Sequence, residues 1–282
     1  MERLTTADHR RDNAGLTYVY AVVSRRAGGV SVGVNLNPNQ ACNWRCAYCQ
    51  VPGLVRGKGP QIDLALLRAE LDELLSEIVS GQFMEERVPE DMRRLNDVAL
   101  SGNGEPTSSP DFAAAIEVVR DVLASHGLLG QIKLVLITNG SLFDQPSVSA
   151  GVSRLAEAGG EVWFKFDRAT KVGFREVNDT GIDPRDHLAR LRRCAAICPT
   201  WIQTCAFARD GLPPSDDERS AYLSALAELV ADEVPLRGVL LYGLARESHQ
   251  PEATRLSALP SQWLESLGAE IRSLGLEARV TL

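Results

Sequence analysis

Short apolar runs alternate with amphipathic stretches along almost the whole chain, and this alternation limits the possible folds more than any other feature. Strand-like runs occur at 18–23 (YVYAVV), 30–36 (VSVGVNL), 97–102 (DVALSG), 133–139 (KLVLITN), 161–167 (EVWFKFD), 201–207 (WIQTCAF), 238–243 (GVLLYG) and 276–282 (LEARVTL). Helix-period segments lie at 62–80, 110–127, 146–158, 183–197, 216–230 and 260–274. Their starts carry capping or proline signals, such as Ser109-Pro110, Asp183-Pro184, Ser215-Asp216 and Pro260. Strand and helix in succession, about six times over, imply parallel βαβ units. The expected fold is α/β, a partial (β/α)6 TIM-like barrel with a short N-terminal strand extension. No linker interrupts it, so one domain is expected over 17–282, with a C-terminal strand and helix extension and a polar tail at 1–16. The polar segment 81–96 (GQFMEERVPEDMRRLN) reads as an insertion or connector before the second core strand.

The 282 residues, 44% of them hydrophobic, suffice for one such barrel. No apolar run approaches the roughly 18 residues of a membrane span, and the start, MERLTTADHRRDN, has no apolar signal core. A cytoplasmic, reducing location without membrane contact is expected, where clustered cysteines more often hold metal than form disulfides. The net charge of -7 leaves no global basic footprint for nucleic acid. That balance favours a small-molecule or peptide substrate over RNA.

In such folds chemistry collects at the C-terminal ends of the strands. After the strand ending near Leu36 comes ACNWRCAYCQV (41–51), with Cys42, Cys46 and Cys49 spaced C-x3-C-x2-C. A closed zinc site wants a fourth ligand. The histidines, at 9, 126, 187 and 249, are all distant in sequence, though a distant residue can fold in. Further polar groups stand at the ends of later runs: SGNGEPTSS (101–109), ITNGS (137–141), KFDRAT (165–170), Gln203 with Cys205, and LLYGLARESH (240–249).

These features together resemble the radical S-adenosylmethionine (SAM) superfamily, whose cysteine loop carries an aromatic before the last cysteine, here Tyr48. Within it the chain is most similar to the wyosine-synthase-like branch, related to tRNA 4-demethylwyosine synthase. The likeness rests on SRRAGGVSVGVNLNPNQACNWRCAYCQV (24–51), SGNGEPT (101–107), LITNGSL (136–142) and LYGLAR (241–246), and extends over roughly residues 20–260.

The resemblance implies one [4Fe-4S] cluster on Cys42, Cys46 and Cys49. Three thiolates leave one iron free, and in the family SAM chelates it through its amino and carboxylate groups. One electron, from an external flavodoxin- or ferredoxin-type donor, then cleaves the sulfonium and releases a 5′-deoxyadenosyl radical that abstracts hydrogen from substrate. By the same resemblance the turn Gly102-Asn103-Gly104-Glu105-Pro106 binds the SAM ammonium; otherwise it is an ordinary helix-capping loop. Asn139 is expected at the ribose or methionine end of SAM, unless it is only a turn residue before Gly140. Tyr48 and Tyr242 are expected to flank the adenine, with simple core packing as the alternative.

Strand parity places Val162, Phe164 and Phe166 on one face and Trp163, Lys165 and Asp167 on the other. The apolar face packs under helices, so Lys165 and Asp167 turn into the barrel lumen, either as a satisfied ion pair or serving SAM and substrate. Lys165, if desolvated enough, would also be a nucleophilic amine able to form a Schiff base with a carbonyl such as pyruvate. Gln203 and Cys205 share a parity and face the same lumen, Gln203 toward SAM and Cys205 toward substrate. Cys194 and Cys198 form no second cluster with Cys205, because extended chain of on the order of 20 Å separates Cys198 from Cys205. Arg25 and Arg26 bind an anionic substrate group or pair with surface carboxylates.

Three functions compete. The first is a radical SAM enzyme acting on an unidentified substrate. The second is wyosine-type modification of tRNA with pyruvate, against which stand the acidic balance and the absence of any cysteine before Cys42. The third is a non-catalytic iron–sulfur redox sensor or carrier, which has no need of a Gly-Glu-Pro turn.

Overall fold

The computed structural model describes residues 4, 5, 15–24 and 28–282. Arg25 and Arg26 therefore lie outside the described residues, as does most of the 1–16 tail. The described chain forms two compact units. Each is assembled from three separate stretches of sequence, so no linker marks the division.

The first unit comprises Met1–Cys42, Gly57–Ile137 and Pro146–Glu161. Its strands β1 (Val19–Ser24), β2 (Gly29–Val34), β3 (Leu95–Leu100) and β4 (Lys133–Thr138) lie side by side in chain order. The β1–β2 pair is an antiparallel hairpin, with Val19 opposite Val34 and Ser24 opposite Gly29. It is the expected N-terminal strand extension. The β2–β3 and β3–β4 pairs are parallel. Their connections run through α1 (Leu64–Ser80), α2 (Gln82–Arg87) and α3 (Phe112–Ser125), and α4 (Pro146–Glu157) follows β4. Asp63 starts α1 by accepting from the Ala65 and Leu66 amides, and Gly81, at φ 90°, ends it in the left-handed conformation. The connector at 81–96 thus holds a short helix that its six residues are too few to signal by period.

The second unit comprises Asn43–Arg56, Thr138–Gln145 and Val162–Leu282. Here β5 (Glu161–Lys165), β6 (Thr200–Ala206), β7 (Leu236–Gly243) and β8 (Ala278–Thr281) again lie in chain order, every pair parallel. The helices are α5 (Lys171–Asn178), α6 (Pro184–Ile197), α7 (Asp216–Ala231) and α8 (Ser261–Ser273). Phe164 and Phe166 are fully buried. Phe166 stacks on Tyr222 of α7 and meets Phe174 of α5 edge-on, at centroid distances of 5.7 and 6.1 Å. The apolar face of β5 therefore packs under helices, as its parity requires. Helix α5 was not among the expected helical segments: its eight residues, KVGFREVN, include Gly173 and two valines, poor helix formers. Its boundaries come from Thr170, which accepts from the Gly173 amide, and from Asp179, left-handed at φ 48°.

No helix among the described residues is long and apolar enough to cross a membrane.

Candidate active site

In the first unit, the turn after β3 is built on two asparagines that leave β2. Asn35 Oδ1 accepts from the amides of Asn37 and Asn103, both at 3.0 Å. Asn37 Nδ2 donates to the Ala41 carbonyl at 3.0 Å and to Ser108 Oγ at 3.2 Å, while its buried Oδ1 has no partner. The backbone approaches these side chains so closely that a Cβ on Gly104 would stand 2.0 Å from the Ala41 carbonyl oxygen. Glycine is required there by contact, not by φ. Glu105 is buried, and its Oε1 accepts from the Thr107 amide at 3.1 Å and hydroxyl at 2.6 Å. This oxygen caps the 3-10 turn Pro106–Ser108. Asn35 and Asn37 went unnoticed in the sequence, where the only sign was their position in NLNPN at a strand end. Cys42 closes this unit's share of the cysteine loop, its carbonyl accepting from the Gly57 amide at 3.0 Å.

In the second unit, the loop carrying Cys46 and Cys49 has few backbone bonds of its own, so other segments supply them. The Arg45 and Ala47 amides donate to the carbonyls of Asn178 and Val177, at 3.2 and 2.7 Å. From the other side, Ser248 Oγ donates to the Ala47 carbonyl at 2.6 Å and Gln250 Nε2 to that of Val51 at 3.1 Å. The His249 amide adds a bond to the Cys49 carbonyl at 3.0 Å. The end of α5 and the segment after β7 thus hold the loop from two sides. Asn139 joins it too, donating to Asn43 Oδ1 at 2.8 Å, while its own Oδ1 accepts from the Ser141 amide and hydroxyl. Its neighbour Gly140, at φ 66°, lies against the Phe164 ring, where a Cβ would stand 2.1 Å from ring carbons.

Lys165 and Asp167 turn inward, but they do not bond to each other. Tyr48 stands between them: Lys165 Nζ donates to its hydroxyl at 3.2 Å, and that hydroxyl donates to Asp167 Oδ2 at 2.6 Å. Asp167 Oδ1 accepts from the Cys205 amide at 2.8 Å, and Asn178 Nδ2 adds a further bond to Oδ2 at 2.8 Å. Burial pulls the Lys165 ammonium toward neutrality, yet the negative charges that Tyr242, Asp167, Cys46 and Cys205 carry when ionised outweigh it and raise its pKa. Burial raises the Tyr48 phenol well above its usual range, and Asp167 adds to this. Tyr48 packs with Val177, Cys205 and Phe207, and the half-buried Tyr242 lies against the same cluster. The side chains expected at the adenine are thus engaged in packing.

Gln203 lies beside Lys165 in the β5–β6 register, and its buried Oε1 has no partner. His187 is enclosed by Trp44, Phe164, Phe166 and Phe174, at centroid distances of 5.5, 4.9, 6.0 and 5.2 Å. Its Nε2 lies 2.9 Å from the Lys165 carbonyl, which can only accept, so Nε2 carries the proton. Cys194, in the last turn of α6, and Cys198, which caps it, are buried, Cys194 Sγ lying 3.5 Å from Thr200 Oγ1 at the start of β6. Cys205 is near the other end of that strand.

Cys42, Cys46 and Cys49 are half-buried thiols that form no disulfide. Among the described residues, no three His, Cys, Asp or Glu side chains converge as ligands of a single metal ion. Tetrahedral zinc would draw its sulfurs to within about 4 Å of one another. A cluster places each thiolate on a different iron. Burial raises the Cys46 thiol far above its usual range, the Lys165 charge pulling the other way. A thiol so placed is inert unless a metal takes its proton's place. The donor set thus fits a cluster, and the unpartnered oxygens of Gln203 and Asn178 leave acceptors for a polar ligand.

No family model matches the chain. It is 26% identical over 168 residues to UPF0026 protein MJ1312 of Methanocaldococcus jannaschii, covering 58% of this chain and 44% of that protein. The chain thus spans less than half the length of this curated relative. Among solved structures, a radical SAM methyltransferase from Sphaerobacter thermophilus superposes with a TM-score of 0.63 at 14% identity, covering 93% of this chain and 68% of the other. TYW1 with a bound lysine–pyruvate adduct superposes with a TM-score of 0.57 at 14% identity, covering 88% and 74%. The chain has the α/β partial-barrel fold of radical SAM proteins.

Proposed function

We propose that the protein is a radical SAM enzyme, with Cys42, Cys46 and Cys49 holding one [4Fe-4S] cluster that takes electrons from an external flavodoxin- or ferredoxin-type donor. The observation that carries this reading is the C-x3-C-x2-C loop, fastened by backbone bonds from α5 and from residues 248–250, on this fold. With the cluster and SAM bound, the chemistry supplied is reductive cleavage of the sulfonium to methionine and a 5′-deoxyadenosyl radical. Gly102, Asn103, Gly104 and Glu105 provide a rigid turn for the amino end of SAM, and Asn139, Gln203 and the backbone at Tyr48 and Tyr242 provide further SAM contacts. Lys165, Asp167 and Cys205 face the substrate. A held ammonium at Lys165 suits a small molecule or peptide bearing an anionic group. Anaerobic reconstitution with iron, sulfide, dithionite and SAM tests the function: methionine and 5′-deoxyadenosine are expected in equal amounts. A reconstituted cluster that leaves SAM intact would support the redox carrier instead.

A second reading is wyosine-type chemistry, in which Lys165 condenses with pyruvate. The position of the half-buried Lys165 at the end of β5 supports it, as does the lysine–pyruvate adduct in the TYW1 structure, while the raised pKa of Lys165 opposes a free amine. The Tyr48 hydroxyl, bonded to both Lys165 Nζ and Asp167 Oδ2, is placed to relay the proton that the ammonium must lose first, passing its own proton to the Asp167 carboxylate as it accepts one from Lys165. Borohydride trapping in pyruvate with peptide mass spectrometry decides. An adduct on Lys165 supports this reading, and no adduct with an active Lys165→Arg enzyme removes it.

A further inference from the structure

Asn178, the last residue of α5, is completely buried, and its side-chain nitrogen donates twice: to Cys46 Sγ at 3.3 Å and to Asp167 Oδ2 at 2.8 Å. A primary amide has two hydrogens on nitrogen, so this group is fully used. Its Oδ1, equally buried, has no partner. The amide's orientation follows from Asp167. If the group were turned over, Oδ1 would face a carboxylate oxygen that can only accept, and the Cys46 sulfur would lose its donor. Asp167 is itself fixed by the Tyr48 hydroxyl and the Cys205 amide. The orientation of one N–H toward one cysteine sulfur is therefore set by a chain of buried bonds.

Hydrogen bonds to the sulfurs are among the levers that set the potential of an iron–sulfur cluster. Reduction adds an electron whose charge spreads partly onto the thiolates, and an N–H aimed at a sulfur stabilises that added charge. We infer that Asn178 tunes the cluster's reduction potential, raising it by donating an N–H to the Cys46 sulfur. This rests on the cluster assignment proposed above. The electron count is unaltered: one electron arrives from the external donor, and the hydrogen bond shifts only the equilibrium of that transfer. Asn178 is a positioning residue in this role. A merely structural role is already served by its backbone, since the Arg45 amide bonds to the Asn178 carbonyl and that bond does not depend on the side chain.

The test is an anaerobic redox titration, followed by electron paramagnetic resonance, of the reconstituted wild type and of Asn178→Leu, which keeps the bulk and removes the donor. Iron content should stay at the wild-type level, while the reduction equilibrium falls about tenfold, or about 59 mV for one electron. An unchanged midpoint at full iron content overturns the inference and leaves the proposed function standing. A wild type that assembles no iron–sulfur cluster overturns both. If Asn178→Leu does not hold iron, reduced wild-type protein carrying 15N in its asparagine side chains is measured by pulsed resonance. A nitrogen coupled to the cluster through an exchangeable proton supports the inference, and its absence overturns it.

Discussion

The Tyr48 hydroxyl donates to Asp167 Oδ2 at 2.6 Å, joining residues 119 positions apart. This bond explains why two opposite charges on one strand face do not pair directly. The phenol is both acceptor for Lys165 and donor to Asp167, so it links them while keeping Lys165 Nζ 5.2 Å from its own ring centroid, over the ring face.

Replacing Tyr48 by Phe removes this one oxygen and little packing. Asp167 keeps its bonds from Cys205 and Asn178, but Lys165 loses the hydroxyl that its ammonium bonds to. A hydrogen bond to a charged group contributes about 1.5–3 kcal/mol. Urea unfolding of Tyr48→Phe should show a loss in that range with an unchanged m-value. A midpoint equal to wild type would mean that water replaces the hydroxyl without cost.

Cys46→Ala is expected to abolish SAM cleavage and most of the cluster absorbance, since two thiolates cannot hold the site. Cys194→Ala should leave iron at about four per chain, the content of one [4Fe-4S] centre. Burial raises the Cys194 thiol to about 12, so it stays protonated and unreactive. Iron near eight per chain in wild type would establish the second cluster denied here.

Glu105→Ala separates the two uses of that carboxylate. Loss of the cap on the turn Pro106–Ser108 should cost about 0.5–2 kcal/mol, read by thermal or urea unfolding. Weaker SAM binding with unchanged iron content is expected alongside it, measured by calorimetry on the reconstituted protein. A stability loss with unaltered SAM affinity would make Glu105 a helix entry and nothing more.

Much of the fold could be read from the chain because period is local. Phe164 and Phe166 against Lys165 follow from a two-residue alternation, and every sheet strand falls within a few residues of an apolar run. The supports of the site are not local. Asn178 sits in a helix too short to show a period, and its contact with Cys46 spans 132 positions. Asn35 and Asn37 look like turn formers, and only the approach of Asn103 and Ser108 gives them their bonds. Tyr48 belonged to a recognised motif, yet its hydroxyl's partners lie on β5 and just beyond it, outside the reach of any spacing rule.

His187 gives the protein an acid-sensitive element that can be assigned to one residue. Burial is the main cause that lowers its pKa, to about 4, with the Lys165 carbonyl opposing, and its unprotonated Nδ1 has no partner inside the aromatic cage. The folded-state value lies below the unfolded one of about 6.5. Between these values the unfolded chain binds a proton that the folded chain does not, so acid favours unfolding. The contribution is full above pH 6.5 and is lost as pH falls toward 4, with a cost at pH 5 of roughly 2 kcal/mol at about 1.36 kcal/mol per unit. The paired carboxylates Asp179, Asp183 and Asp210 have lowered pKa values, so their contributions fall away only below about pH 4. Urea midpoints measured from pH 7 to 5 should therefore decline in wild type and stay nearly level in His187→Phe, whose ring suits the cage. An equal decline in both proteins would assign the acid sensitivity elsewhere.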